Sequence, residues 1–156
     1  RKILILGSEG MLGSYLLKEI EKKGNLNIFA SSRSSNIYPS DFTDKQSVSK
    51  LLDKINPEIV INCVGLTSID FCESFSEVCS EVNTETPELI AKWCDKSGSY
   101  FIHISTDHFF SDKKNMKHSE KSKVKILNIY AKTKYQAEKF TKINNNHIII
   151  VDSYFF

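Results

Sequence analysis

Three glycines spaced GxxGxxG, Gly7, Gly10 and Gly13, follow directly on the apolar run Ile3-Leu4-Ile5-Leu6 and open a helical pattern. This arrangement constrains the fold more than any other feature of the chain. Gly7 permits a tight turn out of a strand, Gly10 lets a ligand's phosphates approach the backbone, and Gly13 lets the helix pack closely on the sheet. Amides at the helix N-terminus then face an anion. Gly7-Ser8-Glu9-Gly10-Met11-Leu12-Gly13 is therefore a candidate cradle for a dinucleotide pyrophosphate. Small residues also serve ordinary turns, and the spacing differs from the GxGxxG of simple NAD-binding dehydrogenases. The position between a strand and a helix favours the nucleotide.

Strand and helix patterns alternate along the rest of the chain. Lys2 to Leu6 reads as a strand, and Met11 to Lys23 as a helix with Met11, Leu12, Tyr15, Leu16 and Ile20 facing the core. Asn27 to Ala30 is a second strand, followed by a serine-rich loop with a short strand expected near Ile37 and Tyr38. Thr43-Asp44-Lys45-Gln46 resembles a capping box for a helix to Ile55, whose core face is Val48, Leu51, Leu52 and Ile55. Glu58 to Asn62 is the next strand, and Phe71 to Lys96 is helical with a break or restart at Pro87. Tyr100 to Ser105 is a strand, Ser111 to Lys125 a polar loop, Asn128 to Ile143 a helix and His147 to Val151 a buried strand. Apolar strands alternating with helices predict an α/β chain: a Rossmann-type, doubly wound parallel sheet in three α/β/α layers. Residues 1–156 form one NAD(P)-binding domain in this reading. The last strand runs into Asp152-Ser153-Tyr154-Phe155-Phe156 with no covering helix, so a fragment lacking a carboxyl-terminal substrate domain is expected.

Composition narrows the function classes. With 156 residues, 40% of them hydrophobic, the chain can bury a core. A net charge of +2 supplies no global field for nucleic acid or an anionic membrane. Lysines concentrated between residues 113 and 142 read as a solvated loop and helix face, or as an attraction for a phosphorylated ligand. No apolar run is long enough to span a bilayer and the start lacks a signal-peptide pattern, which predicts the cytoplasm. Cys63, Cys72, Cys79 and Cys94 show no CxxC pair, and the four histidines lack metal-ligand spacing. Reduced, structural cysteines and no metal are expected. A homodimer is the one protein assembly left open.

Which nicotinamide cofactor fits is read at the end of the second strand. NAD-selective sites usually place an acidic residue there, about 20 residues past the glycines. Here the sequence is Ala30-Ser31-Ser32-Arg33. A guanidinium with flanking hydroxyls suits a 2'-phosphate, so NADP(H) is preferred, with NAD(H) as the alternative if Arg33 is only a solvated loop residue. Asp41 and Phe42 are candidates to border the adenine, Asp41 accepting from its amino group.

Candidate chemistry lies downstream. Ser105-Thr106-Asp107 follows a strand, and the later helix carries Tyr130-Ala131-Lys132-Thr133-Lys134. Tyr and Lys four apart share a helix face, so an ammonium can stabilise the ionised form of a phenol whose ordinary pKa is about 10. Such a phenol can donate and recover a proton near neutral pH. Thr106 at the carboxyl end of a strand could bond a substrate carbonyl. Tyr135 and Lys139 repeat the spacing, but Tyr130 lies at the helix start beside the loop.

These residues together resemble the extended short-chain dehydrogenase/reductase superfamily, and within it the dTDP-4-dehydrorhamnose reductase family of sugar-nucleotide reductases. The pieces are Gly7 to Gly13, Ile61-Asn62-Cys63-Val64-Gly65, Ile69-Asp70-Phe71-Cys72-Glu73, Val82-Asn83, Ser105-Thr106-Asp107-His108-Phe109-Phe110, and Asn128 to Lys134 with Glu138 one turn on. The resemblance implies Thr106, Tyr130 and Lys134 as catalytic residues. It implies Cys63, Val64 and Gly65 on the nicotinamide side, Tyr130 and Lys134 also against the cofactor, and Thr67, Ile69 and Thr106 near a nucleotide-sugar substrate. The implied reaction is reduction of a nucleotide-activated 4-keto-6-deoxysugar in deoxysugar and polysaccharide biosynthesis. Asp107-His108 lacks the glutamate that related 4,6-dehydratases use as base. His108 is either a proton relay or a loop histidine. Two other readings of the same fold are a non-catalytic NADP-binding subunit, as in the regulatory subunit of methionine adenosyltransferase, and a sugar-nucleotide epimerase with tightly held NAD.

Overall fold

A computed structural model describes residues 1–110, 119 and 121–152. Five strands, β1 (Lys2–Leu6), β2 (Asn27–Ser31), β3 (Ile59–Asn62), β4 (Tyr100–Thr106) and β5 (His147–Asp152), form one sheet in the order β2-β1-β3-β4-β5. Every pairing is parallel. The order reverses between β1 and β3, which opens a crevice at the carboxyl ends of those two strands. The helices are α1 (Met11–Glu21), α2 (Lys45–Ile55), α3 (Ile69–Ser74), α4 (Ser76–Ser80), α5 (Thr86–Ser97) and α6 (Ile129–Thr141), with a π-helical turn at Glu81–Glu85. None of them is long and apolar enough to cross a membrane.

Two apolar layers hold the sheet. On one face Leu4, Leu6, Val60 and Phe101 pack with Val48, Leu51, Leu52 and Ile55 of α2 and Ile90, Ala91 and Cys94 of α5. On the other, Ile3, Ile5 and Ile61 pack with Leu16, Leu17 and Ile20 of α1. Gly13, Leu16, Leu17 and Ile20 make the i, i+3, i+4, i+7 stripe of α1. Met11 and Tyr15, expected in that stripe, are 66% and 64% exposed, because the stripe is centred one residue later than the bulky side chains suggest.

Four further local expectations are corrected. The cap of α2 is Asp44 rather than Thr43, its carboxylate accepting from the Gln46 amide at 2.8 Å. Ile37 and Tyr38 form no strand; the segment contributes one bridge, Ser32 to Pro39. The helical stretch after residue 68 also breaks at Phe75 and widens in the π turn, which the sequence does not suggest; the restart expected at Pro87 is present, with Pro87 in the first turn of α5, where its missing amide is not needed. β5 is not buried. Among the described residues it stands at the sheet edge, and Ile148 and Ile150 lie about half exposed. Most of the predicted 111–125 loop, including Lys113, Lys114 and Lys117, lies outside the described residues, as do 153–156.

Candidate active site

The crevice at the strand ends contains a cleft of about 310 Å³ lined by Gly10, Met11, Leu12, Cys63, Val64, Gly65, Thr67, Ile104, Ser105, Thr106, Tyr130 and Lys134. It brings the glycine loop, the end of β3, the end of β4 and the first turns of α6 to one place.

The three glycines have different surroundings. Gly7 has φ +78°, and a side chain there would press on the backbone of Cys63 and Val64 at 3.0–3.2 Å. A Cβ on Gly13 would stand 2.1 Å from the Gly7 carbonyl oxygen, so this glycine sets how closely α1 approaches β1. At Gly10 a Cβ would meet only that oxygen, at 3.2 Å, and the residue faces the cleft. Helices α2, α3 and α6 are capped by the side chains of Asp44, Ser68 and Asn128, whereas α1, like α4 and α5, has no side-chain cap. The first-turn amides of α1 lack intrahelical partners, and Met11 and Leu12 line the cleft. Gly7 and Ser8 are occupied otherwise, both amides donating to the Ser31 carbonyl at 2.8 and 3.1 Å. The Glu9 carboxylate accepts from the Ser34 hydroxyl, which holds its pKa below the usual range.

The segment after β2 is partly solvent-facing. Arg33 is exposed. Asp41 accepts from the amide and hydroxyl of Thr43 at 2.9 and 2.8 Å, which lowers its pKa, with the Arg33 charge a smaller cause. Phe42 is buried in the core beside α2, and its carbonyl accepts from Thr86 Oγ1 at 2.7 Å. Arg33, Asp41, Phe42 and Ile69 do not line the cleft; Thr67 does.

At the opposite wall Tyr130 and Lys134 are both buried, and the Lys134 ammonium donates to the Ile104 carbonyl at 2.6 Å. Burial pushes Lys134 down to about 8, opposed first by the charge of Glu138. Burial likewise pushes the Cys63 thiol up to about 11, against the pull of Lys134, so it lines the cleft as a neutral group. Thr106 is buried at the end of β4, its hydroxyl accepting from the His108 amide at 3.3 Å. The His108 ring stands edge-on to Tyr130 with centroids 5.6 Å apart. Tyr135 turns away, packing on Phe109 at 5.2 Å with Lys139 over its ring at 4.8 Å, so the second Tyr/Lys pair is outside the cleft.

Residues that no motif singled out for a role hold this wall together. Asn83, in the π turn, accepts from the Leu66 amide at 2.8 Å and donates to the Leu66 carbonyl at 2.9 Å, fixing the loop that carries Gly65 and Thr67. Thr133 Oγ1 and Cys79 Sγ also lie within bonding distance of its amide, at 3.4 and 3.3 Å. Thr84 donates to the Thr133 carbonyl at 2.9 Å and ties the turn to α6. A π turn at a functional site is a recurrent device, since it rotates one side chain off the α-helical face. Asn62 binds both His103 Nδ1, at 3.3 Å, and the Val64 amide, at 3.0 Å.

Comparison with known proteins agrees with this geometry. The family model described as the RmlD substrate binding domain matches residues 1–154. dTDP-4-dehydrorhamnose reductase of Salmonella typhimurium is 30% identical over 153 residues, covering 97% of this chain and 50% of the relative. The crystal structure of dTDP-4-dehydrorhamnose reductase from Bacillus anthracis in complex with NADP superposes with a TM-score of 0.87 at 25% identity, over 98% of this chain and 53% of that one. Methionine adenosyltransferase 2 subunit beta of Mus musculus is 28% identical over 147 residues, covering 93% of this chain and 44% of the relative. The chain thus spans about half the length of the curated relatives it matches.

Proposed function

The chain belongs to the RmlD substrate binding domain family, and from that premise we propose that it is the cofactor-binding part of an NADPH-dependent reductase of a nucleotide-activated 4-keto-6-deoxysugar. The observation that carries the reading is convergence: Thr106, Tyr130 and Lys134 line the same cleft as Gly10 to Leu12 and Cys63 to Gly65. The uncapped first turn of α1 and the open backbone at Gly10 suit a pyrophosphate. NADP in the Bacillus anthracis relative supports NADP(H) for this chain, with Ser32 and Arg33 as the 2'-phosphate contacts and Asp41 beside the adenine.

Bound NADPH would supply the hydride. Thr106 orients and polarises the sugar carbonyl by hydrogen bonding, and Thr67 and Ile69 would contact the sugar nucleotide, Thr67 from the cleft and Ile69 from outside it. The Tyr130 hydroxyl gives its proton to the developing alkoxide oxygen. Lys134, charged at neutral pH, stabilises the phenolate left behind and would hold the nicotinamide ribose of a bound cofactor. The Cys63-Val64-Gly65 edge would line the nicotinamide side.

The test uses the full-length protein, NADPH and dTDP-4-dehydro-6-deoxysugar, with NADPH oxidation as readout. Tyr130→Phe is expected to lower kcat by about 10²-fold or more, the range of general acid catalysis. Turnover equal to the parent would sink the assignment. Similarity to the methionine adenosyltransferase subunit supports a second reading, a non-catalytic NADP-binding subunit. It predicts NADPH binding without oxidation, together with stable association with a second enzyme.

A further inference from the structure

Glu138 follows Lys134 by four residues on α6, so both side chains leave the same helix face one turn apart. Glu138 is almost as buried as Lys134, at 8% against 5% exposure. Its two oxygens see different surroundings. Oε2 faces the rim, 3.9 Å from the largely exposed Lys142 ammonium, while Oε1 is fully enclosed with no hydrogen-bond partner. An enclosed carboxylate oxygen without a donor is costly unless a charge nearby compensates it.

We propose that Glu138 is a positioning residue for the active site: its buried carboxylate is the counter-charge that keeps the Lys134 ammonium protonated inside the cleft wall. The other groups around Lys134 are two thiols, an imidazole, a phenol and a backbone carbonyl. Cys63 at the end of β3 is a neutral thiol at physiological pH. Cys79 of α4 is engaged with Thr133 and Asn83. His103 of β4 is fully enclosed, and burial together with the Lys134 charge holds it neutral. The Ile104 carbonyl accepts one ammonium proton, and Tyr130 packs one turn before on the same helix. Among the described residues, Glu138 is the one carboxylate that favours the charged lysine. The ion pair within 4 Å of the Glu138 carboxylate is, among the described residues, the one to Lys142, at the solvent-screened rim; the attraction to Lys134 acts across one helix turn without direct contact.

The catalytic meaning of that charge rests on the reductase reading, but the charge itself can be measured without turnover. Full-length protein with 13Cε-labelled lysine is titrated by NMR, and the Lys134 resonance is identified by its loss in Lys134→Arg. The midpoint is expected near 8 in the parent. Glu138→Gln, which keeps the shape, should lower it by about one unit or more, as expected for a buried opposite charge one turn away. Glu138→Asp, which keeps the charge and loses packing, should stay within about half a unit of the parent. In the reductase, the alkaline fall of kcat/KM should move to lower pH with Gln and remain in place with Asp. Glu138→Met serves as a second neutral replacement should Gln fail to fold. An unchanged midpoint in either neutral variant, or equal shifts in Asp and Gln, would overturn the proposal. A shifted midpoint in a protein that never oxidises NADPH would leave it standing and sink the reductase reading.

Discussion

Replacing Gly13 by alanine separates the architectural use of the glycine loop from its ligand-binding use. The new Cβ would stand 2.1 Å from the Gly7 carbonyl oxygen and 2.8 Å from its carbon, where ordinary contact begins near 3.4 Å. Helix and turn must therefore separate by about 1 Å, and both atoms are backbone, so no flexible side chain can absorb the strain. Overpacking of this kind costs about 3 kcal/mol, at the upper end of its usual range. Alanine in place of glycine inside a helix returns about 1 kcal/mol. The net loss of about 2 kcal/mol corresponds to a fall in Tm of roughly 4–8 °C for a domain of this size. Gly10→Ala is the comparison: its Cβ meets one atom at 3.2 Å, so Tm should move by less than about 2 °C while the NADPH Kd rises. Urea and thermal unfolding of both variants, followed by cofactor titration, decide the matter. A Gly13→Ala protein as stable as the parent would refute the close-packing argument.

Asn83→Leu leaves the Leu66 amide and carbonyl without their side-chain partners and should destabilise the protein by about 2–3 kcal/mol in urea unfolding, with weakened cofactor binding. His103 is neutral in the folded state and titrates there well below its ordinary value, whereas the unfolded chain takes up the proton near pH 6.5. The unfolded state binds more protons below that pH, so stability should fall on acidification by up to about 1.4 kcal/mol per pH unit, and His103→Gln should flatten that slope in unfolding measured between pH 7 and 5. Arg33→Ala should weaken NADPH binding about tenfold and leave NADH unchanged in fluorescence titration; equal effects on both would remove Arg33 from the 2'-phosphate site.

What the sequence made legible was local. The strand-loop-helix start rests on consecutive residues, and Val48, Leu51, Leu52 and Ile55 show their helical stripe without reference to the rest of the fold. Tyr130 could be preferred over Tyr135 because the helix start fixes which one meets the loop, and the two do part in this way. The misjudged or overlooked features are non-local. Met11 and Tyr15 look like core until Gly13 is recognised as part of the buried stripe. The apolar run of β5 reads as buried because its composition says nothing about being an edge strand. Ser105 and Ile104 line the cleft only because β4 ends there, and Asn83, Asn62 and His103 act through partners 17 to 41 residues away. The Val82-Asn83 motif was visible in the sequence, yet nothing in it specified a role for the asparagine amide.

The π turn at Glu81–Glu85 has a consequence for how this chain can vary. Each residue advances an α-helix by about 100°, so the wide turn acts as a one-residue register offset between the segment holding Cys79 and the segment holding Ile90, Ala91 and Cys94. Deleting one residue there would give a smoother helix and a wrong protein: either the Leu66 loop or the core stripe of α5 would be turned away from its partner. Insertions and deletions at this point should therefore be tolerated far less than substitutions, although nothing in the helical propensity of the segment would warn of it.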